Sequence, residues 1–402
     1  MHVARHVAVV AGHAPSLVRF RGRLLADMVQ AGHRVTALAP PAEFDPDTGE
    51  RDESFEQALA DLGAAFEPIA LSRRGLNPLS EMGAQNALTK RFLGLKPDLV
   101  FSYTIKPVIW GSLAAKKAGV PRIFSLVSGL GRGFAAQTRK QSSFWTGLRD
   151  NVLQGIVTGL YRRAVACNDL VFFQNPDDER LFRTKGILGA TPSLVVNGSG
   201  VDLDEFPAVP PAPPPPVFLC LARLLTDKGI LEYAEAARRL RRVFPQVRCL
   251  LAGPRETGPG SLDPAEAERW KSEPGLEYLG NQADVRPLLA QCAAYVLPSY
   301  YGEGLPRSSL EALATARPVI TTDHPGCREA VQDGVTGLLV PPRDADALEQ
   351  AMARFIQEPE LSAAMGRAAR KSAEERFDVA KVNAAMLQAM GLAPDESQGA
   401  GA

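Results

Sequence analysis

The sequence predicts an α/β protein made of two facing, Rossmann-like, doubly wound domains with a cleft between them. Three observations lead there. Short β-branched runs alternate with amphipathic helical stretches along the chain, the pattern of βαβ units and parallel sheets. The alternation breaks once, at "PAVPPAPPPP" (207–216), where seven of ten residues are proline and the backbone becomes a stiff connector. With 402 residues, 45% of them hydrophobic, each side of that seam is long enough to bury a core of its own.

The elements follow in order. "HVAVVA" is a strand and "GHAPS" its loop; "LVRFRGRLLADMVQA" is a helix with Leu17, Phe20, Leu24 and Met28 on one stripe, ended by Gly32. "HRVTALAP", "PDLVFSYT" and "RIFSLVS" are further strands. After the seam come the strand "VFLCLARL", the helix around "GILEYAEAARRLRRVF", and the strands "VRCLLAG", "GLEYLG", "AAYVLPS" and "RPVITTD". The expected division is a first domain over 1–205, a linker over 206–216 and a second domain over 217–377.

Composition narrows the function. Lysine plus arginine equals aspartate plus glutamate at 45 each, so no global field favours nucleic acid. The cysteines Cys167, Cys220, Cys249, Cys292 and Cys327 show no CxxC spacing, which suits buried thiols in a reducing compartment. No run approaches the roughly 20 apolar residues that span a bilayer, and no leader pattern opens the chain. The expectation is a cytoplasmic protein, at most peripheral to a membrane.

The stretch "YYGEGLPRSSLEALATARPVITTD" (300–323) carries the chemistry. Glu303 sits in a glycine loop closing a strand, and Glu311 in the helix that follows, with Pro306 at or near its first turn. The amides around Gly304 and Leu305 and the helix N-terminus make a positive end suited to phosphate. Carboxylates accept the vicinal hydroxyls of sugars, so a nucleotide sugar would satisfy both features. On pattern alone, a solvated loop glutamate and a helix-dipole charge fit as well.

This stretch, an E-x7-E element, resembles retaining glycosyltransferases of the GT-B fold, family 4. So do "CLARLLTDKG", "VVNGSGVDLDEF" and "DGVTGLLVPPRDADAL". The resemblance implies that Arg223 and Lys228 hold a donor diphosphate, that Glu303 contacts the donor hexose and Glu311 the ribose, and that the helix over 378–390 packs back on the first domain. "FSYTIKPVIWGSLAAKKAGVPRIFSLVSGLG", "FFQNPDD" and "PGCRE" resemble bacterial enzymes that add sugars to undecaprenyl-diphosphate-linked intermediates. Examples are the N-acetylgalactosaminyltransferases of N-glycan, capsule and O-antigen assembly. The implied partners are a UDP-sugar donor and an undecaprenyl-diphosphate-linked saccharide at the cytoplasmic face of the inner membrane. Many family members carry histidine in the loop that closes the strand of "RIFSLVSGLG", where this chain has Ser128. No carboxylate sits there either, so front-face substitution is favoured over double displacement.

Other signals carry less. "GLGRG" (129–133) lacks the spacing of a dinucleotide fingerprint. DxD triplets begin at Asp45, Asp202 and Asp344, each in a turn or cap context, and the basic pair already supplies charge, so neither metal nor cofactor is expected. "RRLRR" (238–242) suits a solvated helix end. Gly12 is assigned to the donor side. His13 suits the diphosphate, the acceptor or a plain turn, and Lys106 in "TIKP" suits an acceptor phosphate. Arg19, Arg21 and Arg23 suit a lipid diphosphate or a solvated face. In "SSFWTGLRDNVLQGIVTGLYRRA", Trp145, Leu148, Val152, Ile156 and Leu160 share one face, with Arg139, Lys140, Arg149, Arg162 and Arg163 flanking it; this serves a membrane surface or a core helix. The alternatives are a GT-B nucleotide-sugar 2-epimerase, a transferase with a soluble acceptor, and a non-catalytic sugar-nucleotide binder.

Overall fold

The computed structural model describes residues 3–41, 54–71, 78–131, 144–258, 260–272 and 275–394, the side chains of 78–81, 144–154 and 271–272 excepted. The chain divides into two units: Met1–Ser199 with Lys381–Ala402, and Gly200–Ala380.

The first unit runs β1 (His6–Val10), α1 (Pro15–Gln30), β2 (Arg34–Ala39), α2 (Ser54–Asp61), β3 (Ala65–Pro68), α3 (Pro78–Leu95), β4 (Leu99–Tyr103), α4 (Ile105–Ala118), β5 (Arg122–Val127), α5 (Phe144–Val165), β6 (Leu170–Phe173), α6 (Pro176–Thr184) and β7 (Ser193–Val195). Its strands form one sheet in the order β3-β2-β1-β4-β5-β6-β7, every pairing parallel. Helices cover both faces. Val7 and Val9 of β1 join one buried cluster while Ala8 and Val10 join another, so β1 reads as an unbroken apolar run.

In α1, Leu17, Leu24 and Met28 are buried, but Phe20 is 46% exposed and Arg21 is 3% exposed. At ~3.6 residues per turn, Phe20 lies about 60° off Leu17 at the stripe's edge, whereas residue 21 falls inside it. Arg21 fills the place by setting its guanidinium carbon 5.4 Å from the Tyr103 ring centroid. The expected apolar stripe is corrected accordingly.

The second unit runs β8 (Val217–Leu221), α7 (Ile230–Val243), β9 (Arg248–Ala252), α8 (Pro264–Ser272), β10 (Glu277–Tyr278), α9 (Arg286–Gln291), β11 (Ala294–Leu297), α10 (Arg307–Ala314), β12 (Val319–Thr322), β13 (Gly337–Val340), α11 (Ala345–Gln357) and α12 (Pro359–Ser372), the last continued by a π turn to Phe377. Its parallel sheet has the order β10-β9-β8-β11-β12-β13. The proline-rich segment is part of this unit. Phe206 is 3% exposed in its core, and buried Arg317 donates to the carbonyls of Pro210 and Ala290 from one guanidinium nitrogen. Proline removes donors but leaves carbonyls, and Arg317 uses one of them.

Helix α13 (Val379–Met390) brings Val382, Met386, Leu387 and Met390 into the core of the first unit. Three polar contacts fix it: Asn383 donates to Asp27 (2.7 Å), Arg122 to the Met390 carbonyl (2.8 Å) and His33 Nε2 to the Leu392 carbonyl (3.1 Å). The His33 tautomer follows from Nδ1, which accepts the Arg5 N–H.

Candidate functional site

Strands β9, β8 and β11 are neighbours and parallel, so the loops leaving their carboxyl ends emerge along one edge of the second sheet. These loops carry Glu256, then Arg223 and Lys228, then Ser299 to Pro306. Lys228 ends a 3-10 turn and Gly229 follows at φ +71°, where a Cβ would stand 2.0 Å from the Pro298 carbonyl oxygen. Glycine lets the β8 and β11 loops press together. The approach pairs Lys228 Nζ with Glu303 Oε1, side chains that are 11% and 13% exposed. Fully buried Ser299 donates to the same Oε1 at 3.1 Å and accepts the Tyr301 N–H at 3.2 Å. Thr322 Oγ1 and Cys327 Sγ in turn bond the Ser299 carbonyl. Gly326, at φ +84°, leaves room for the Glu303 carbonyl, which a Cβ would approach to 2.5 Å.

Arg223 donates to Glu256 at 3.1 Å. Its guanidinium carbon lies 5.8 Å from the Tyr301 ring centroid, and Lys228 Nζ lies 5.1 Å from the same centroid. Burial works against the charge on Arg223, but Tyr301, Glu256 and Glu303 outweigh it and hold the guanidinium above its ordinary value. Pro306 caps α10 in an extended conformation, Leu305 beside it is buried, and Gly304 is buried too. Within α10, Glu311 accepts from Arg307 Nε at 2.8 Å, and Arg307 Nη2 lies 3.8 Å from Glu205. Burial raises the Glu311 carboxyl above the usual carboxylate range, Arg307 opposes the rise, and Glu205 adds to it.

In the first unit, β1, β4 and β5 are likewise neighbours, so the loops bearing Gly12 and His13, Lys106, and Ser128 leave one edge of that sheet. A Cβ on Gly12 would stand 3.0 Å from Thr104 Oγ1, and Thr104 itself sits at φ +70°, a conformation β-branched residues rarely adopt. Ser16 Oγ donates to the His13 carbonyl at 2.5 Å, which leaves the Tyr103 hydroxyl to donate to Ser16 at 2.9 Å. Burial pushes the Tyr103 pKa up to about 12, so it keeps that proton. Lys106 lies in the first turn of α4 and Ser128 precedes Gly129 at φ +104°, both half-buried. Arg19 and Arg23 are exposed, whereas Arg21 is buried and cannot share their surface.

Asp202 accepts the N–H groups of Asp204 and Glu205, and Asp344 caps α11 through the Ala347 N–H; Asp45 lies outside the described residues. Arg238 pairs with Glu235, and Arg239 reaches Asp346 of α11, so "RRLRR" is partly tied down rather than simply solvated. Residues 139–140, and the side chains of Phe144, Trp145, Leu148, Arg149 and Val152, lie outside what is described. The spacing of residues gives no sign of Glu256, Ser299, Tyr301 or Arg307 as members of this site.

A family model for group 1 glycosyl transferases matches residues 203–372, and one for a glycosyl transferase 4-like domain matches residues 17–198. Between them they account for both units, and the chain belongs to the group 1 glycosyltransferases, with the GT-B fold. It is 28% identical over 322 residues to N,N'-diacetylbacillosaminyl-diphospho-undecaprenol alpha-1,3-N-acetylgalactosaminyltransferase of Campylobacter jejuni, covering 77% of this chain and 81% of that one. It is 26% identical over 326 residues to UDP-Gal:alpha-D-GlcNAc-diphosphoundecaprenol alpha-1,3-galactosyltransferase of Escherichia coli, covering 77% and 79%. Among solved structures, sucrose-phosphate synthase from Thermosynechococcus elongatus superposes with a TM-score of 0.76 at 18% identity, over 96% of this chain and 98% of that one. Anabaena HepE, solved with UDP and glucose, superposes at 0.71 and 18% identity, over 96% and 99%.

Proposed function

We propose that the enzyme transfers an N-acetylhexosamine or hexose, with retention and without a metal, from a UDP-sugar to an undecaprenyl-diphosphate-linked saccharide. One observation carries the donor half: Lys228 is paired with Glu303 while Arg223 stands across the same Tyr301 ring. In a hexosyl diphosphate the sugar hydroxyls and the phosphates are adjacent, so their acceptor and their cations must be adjacent as well. Glu303 takes the hexose hydroxyls, Arg223, Lys228 and the α10 N-terminus take the diphosphate, and Glu311 takes the ribose. The acceptor half is supported by the two relatives, whose names specify undecaprenol diphosphates.

In the proposed reaction the bond from the anomeric carbon to the diphosphate breaks while the acceptor oxygen bonds to that carbon on the same face. The acceptor proton passes to the departing phosphate oxygen. Arg223 and Lys228 stabilise the negative charge that grows there. In this proposal Gly12 is assigned to the donor, Ser128 to the reacting centre, and His13, Lys106 and Arg19 to the acceptor.

No helix among the described residues is long and apolar enough to cross a membrane. Exposed Phe20, flanked by exposed Arg19 and Arg23, is one described surface suited to anionic lipid, and exposed Ile156 with exposed Arg162 and Arg163 on α5 is another. The deciding experiment incubates the protein with a panel of nucleotide sugars, with and without undecaprenyl-diphosphate-linked glycans. Transfer that requires the lipid-linked acceptor supports the proposal. Epimerisation without acceptor, transfer to soluble glycans alone, or donor binding without turnover would each replace it.

A further inference from the structure

We propose that Glu256 is an internal counter-ion that the donor diphosphate must displace from Arg223, and that this displacement sets how readily the nucleotide leaves. The inference rests on the donor reading above and adds to it a residue with no sugar or nucleotide to bind. Each of the two cations assigned to the diphosphate already has a carboxylate partner: Glu303 for Lys228 and Glu256 for Arg223. The two carboxylates differ in how they are held. Glu303 Oε1 is gripped by both Lys228 and Ser299, so it is fixed in place as an acceptor. Glu256 comes from the β9 loop, on the opposite side of β8 from β11, and meets Arg223 at 3.1 Å.

Arg223 is built to exchange anions. Its side chain is 38% exposed while that of Glu256 is 17% exposed, so Arg223 is the more accessible side chain of the pair. Its planar fork carries several donors, and its place over the Tyr301 ring can persist while the hydrogen bonds turn from one anion to another. A diphosphate oxygen reaching Arg223 comes close to the Glu256 carboxylate, and like charges in a partly desolvated site repel. Without ligand, Glu256 prevents a lone cation from being left in a half-buried place. With ligand, it weakens the grip. The free nucleoside diphosphate carries more negative charge than the sugar-bearing donor, so the repulsion acts harder on the product.

A carboxylate that merely oriented Arg223 would give the opposite result on removal, which makes the test decisive. Calorimetry on the full chain compares UDP binding to the wild type, to Glu256→Gln and to Glu256→Asp. Glu256→Gln should bind UDP at least about tenfold more tightly, about 1.4 kcal/mol, with a steeper salt dependence. Glu256→Asp, which keeps the charge, should match the wild type. Unchanged or weaker binding by Glu256→Gln overturns the proposal. If that variant does not fold, Arg223→Gln is compared with the double variant Arg223→Gln, Glu256→Gln, in which neither charge is left alone. The double variant should recover UDP affinity over the single one, and no recovery overturns the proposal. A wild-type protein that binds none of UDP, GDP, ADP and dTDP would instead sink the donor reading, and this inference with it.

Discussion

Arg307→Met is the most informative single perturbation of the site, because it leaves Glu311 largely buried without its cation. Arg307 Nε donates to Glu311 Oε1 at 2.8 Å, with side chains 23% and 13% exposed. Methionine keeps the apolar stem and deletes the charge. Stripping one partner from a fully buried pair costs about 3–5 kcal/mol, and losing a charged hydrogen bond about 1.5–3 kcal/mol. This pair is only partly desolvated, so a loss of about 2–3 kcal/mol is expected near neutral pH. The pH dependence is the sharper signature. Burial already holds the Glu311 carboxyl above its ordinary value, with Arg307 opposing. The folded protein therefore holds that proton more tightly than the unfolded chain. The associated stability is present below the ordinary carboxylate value and is lost as pH rises through the folded one. Removing Arg307 moves the folded value further up and enlarges the loss. Urea denaturation at about pH 5 and about pH 8 should show the gap between wild type and variant widening toward the alkaline end. Adding Glu205→Gln should narrow it, since Glu205 pushes Glu311 the same way. UDP binding by the variant should fall off at a higher pH than in wild type, because a protonated Glu311 is a poorer acceptor for ribose hydroxyls. A gap that stays constant with pH would refute the claim that burial governs this carboxyl.

The other predictions separate the roles of the remaining residues. Glu311→Ala should weaken binding of free nucleoside diphosphate, whereas Glu303→Ala should spare it and weaken the sugar-bearing donor, each by about 1.5–3 kcal/mol in calorimetry; equal losses on the free diphosphate would contradict the assignment. Activity should survive excess chelator, and Arg223→Ala should lower kcat more than it raises the donor KM; activity lost in chelator and restored by magnesium or manganese would contradict metal-independent transfer. Ser299→Ala leaves the Tyr301 N–H without its acceptor and takes one donor from Glu303, so it should destabilise by about 1–3 kcal/mol in urea and raise the donor KM. Ser299→Thr, which keeps the hydroxyl, should recover part of the KM.

What the sequence displays and what it conceals have physical causes. The strands are legible because parallel sheets covered on both faces need uninterrupted apolar runs, and β1, β8 and β11 each supply one. Glu303 and Glu311 stand out as an E-x7-E element running from a loop into the helix after it, whereas Arg223 and Lys228 stand out only through the resemblance of "CLARLLTDKG". Their partners do not, because a partner is chosen by the sheet order. Glu256 lies 33 residues from Arg223, and Lys228 lies 75 residues from Glu303, so only the placement of β9, β8 and β11 side by side brings them together. Arg21 was hidden for a different reason: a charged residue on an apolar stripe looks like an interruption until the Tyr103 ring supplies a face for its guanidinium. The proline run reads as a stiff connector because it has few donors, yet its carbonyls remain acceptors and Arg317 of the second unit bonds the one at Pro210. A run that cannot pair as a strand can still offer a carbonyl to a buried arginine, so low donor content marks a segment that is not a strand, and does not by itself mark a linker.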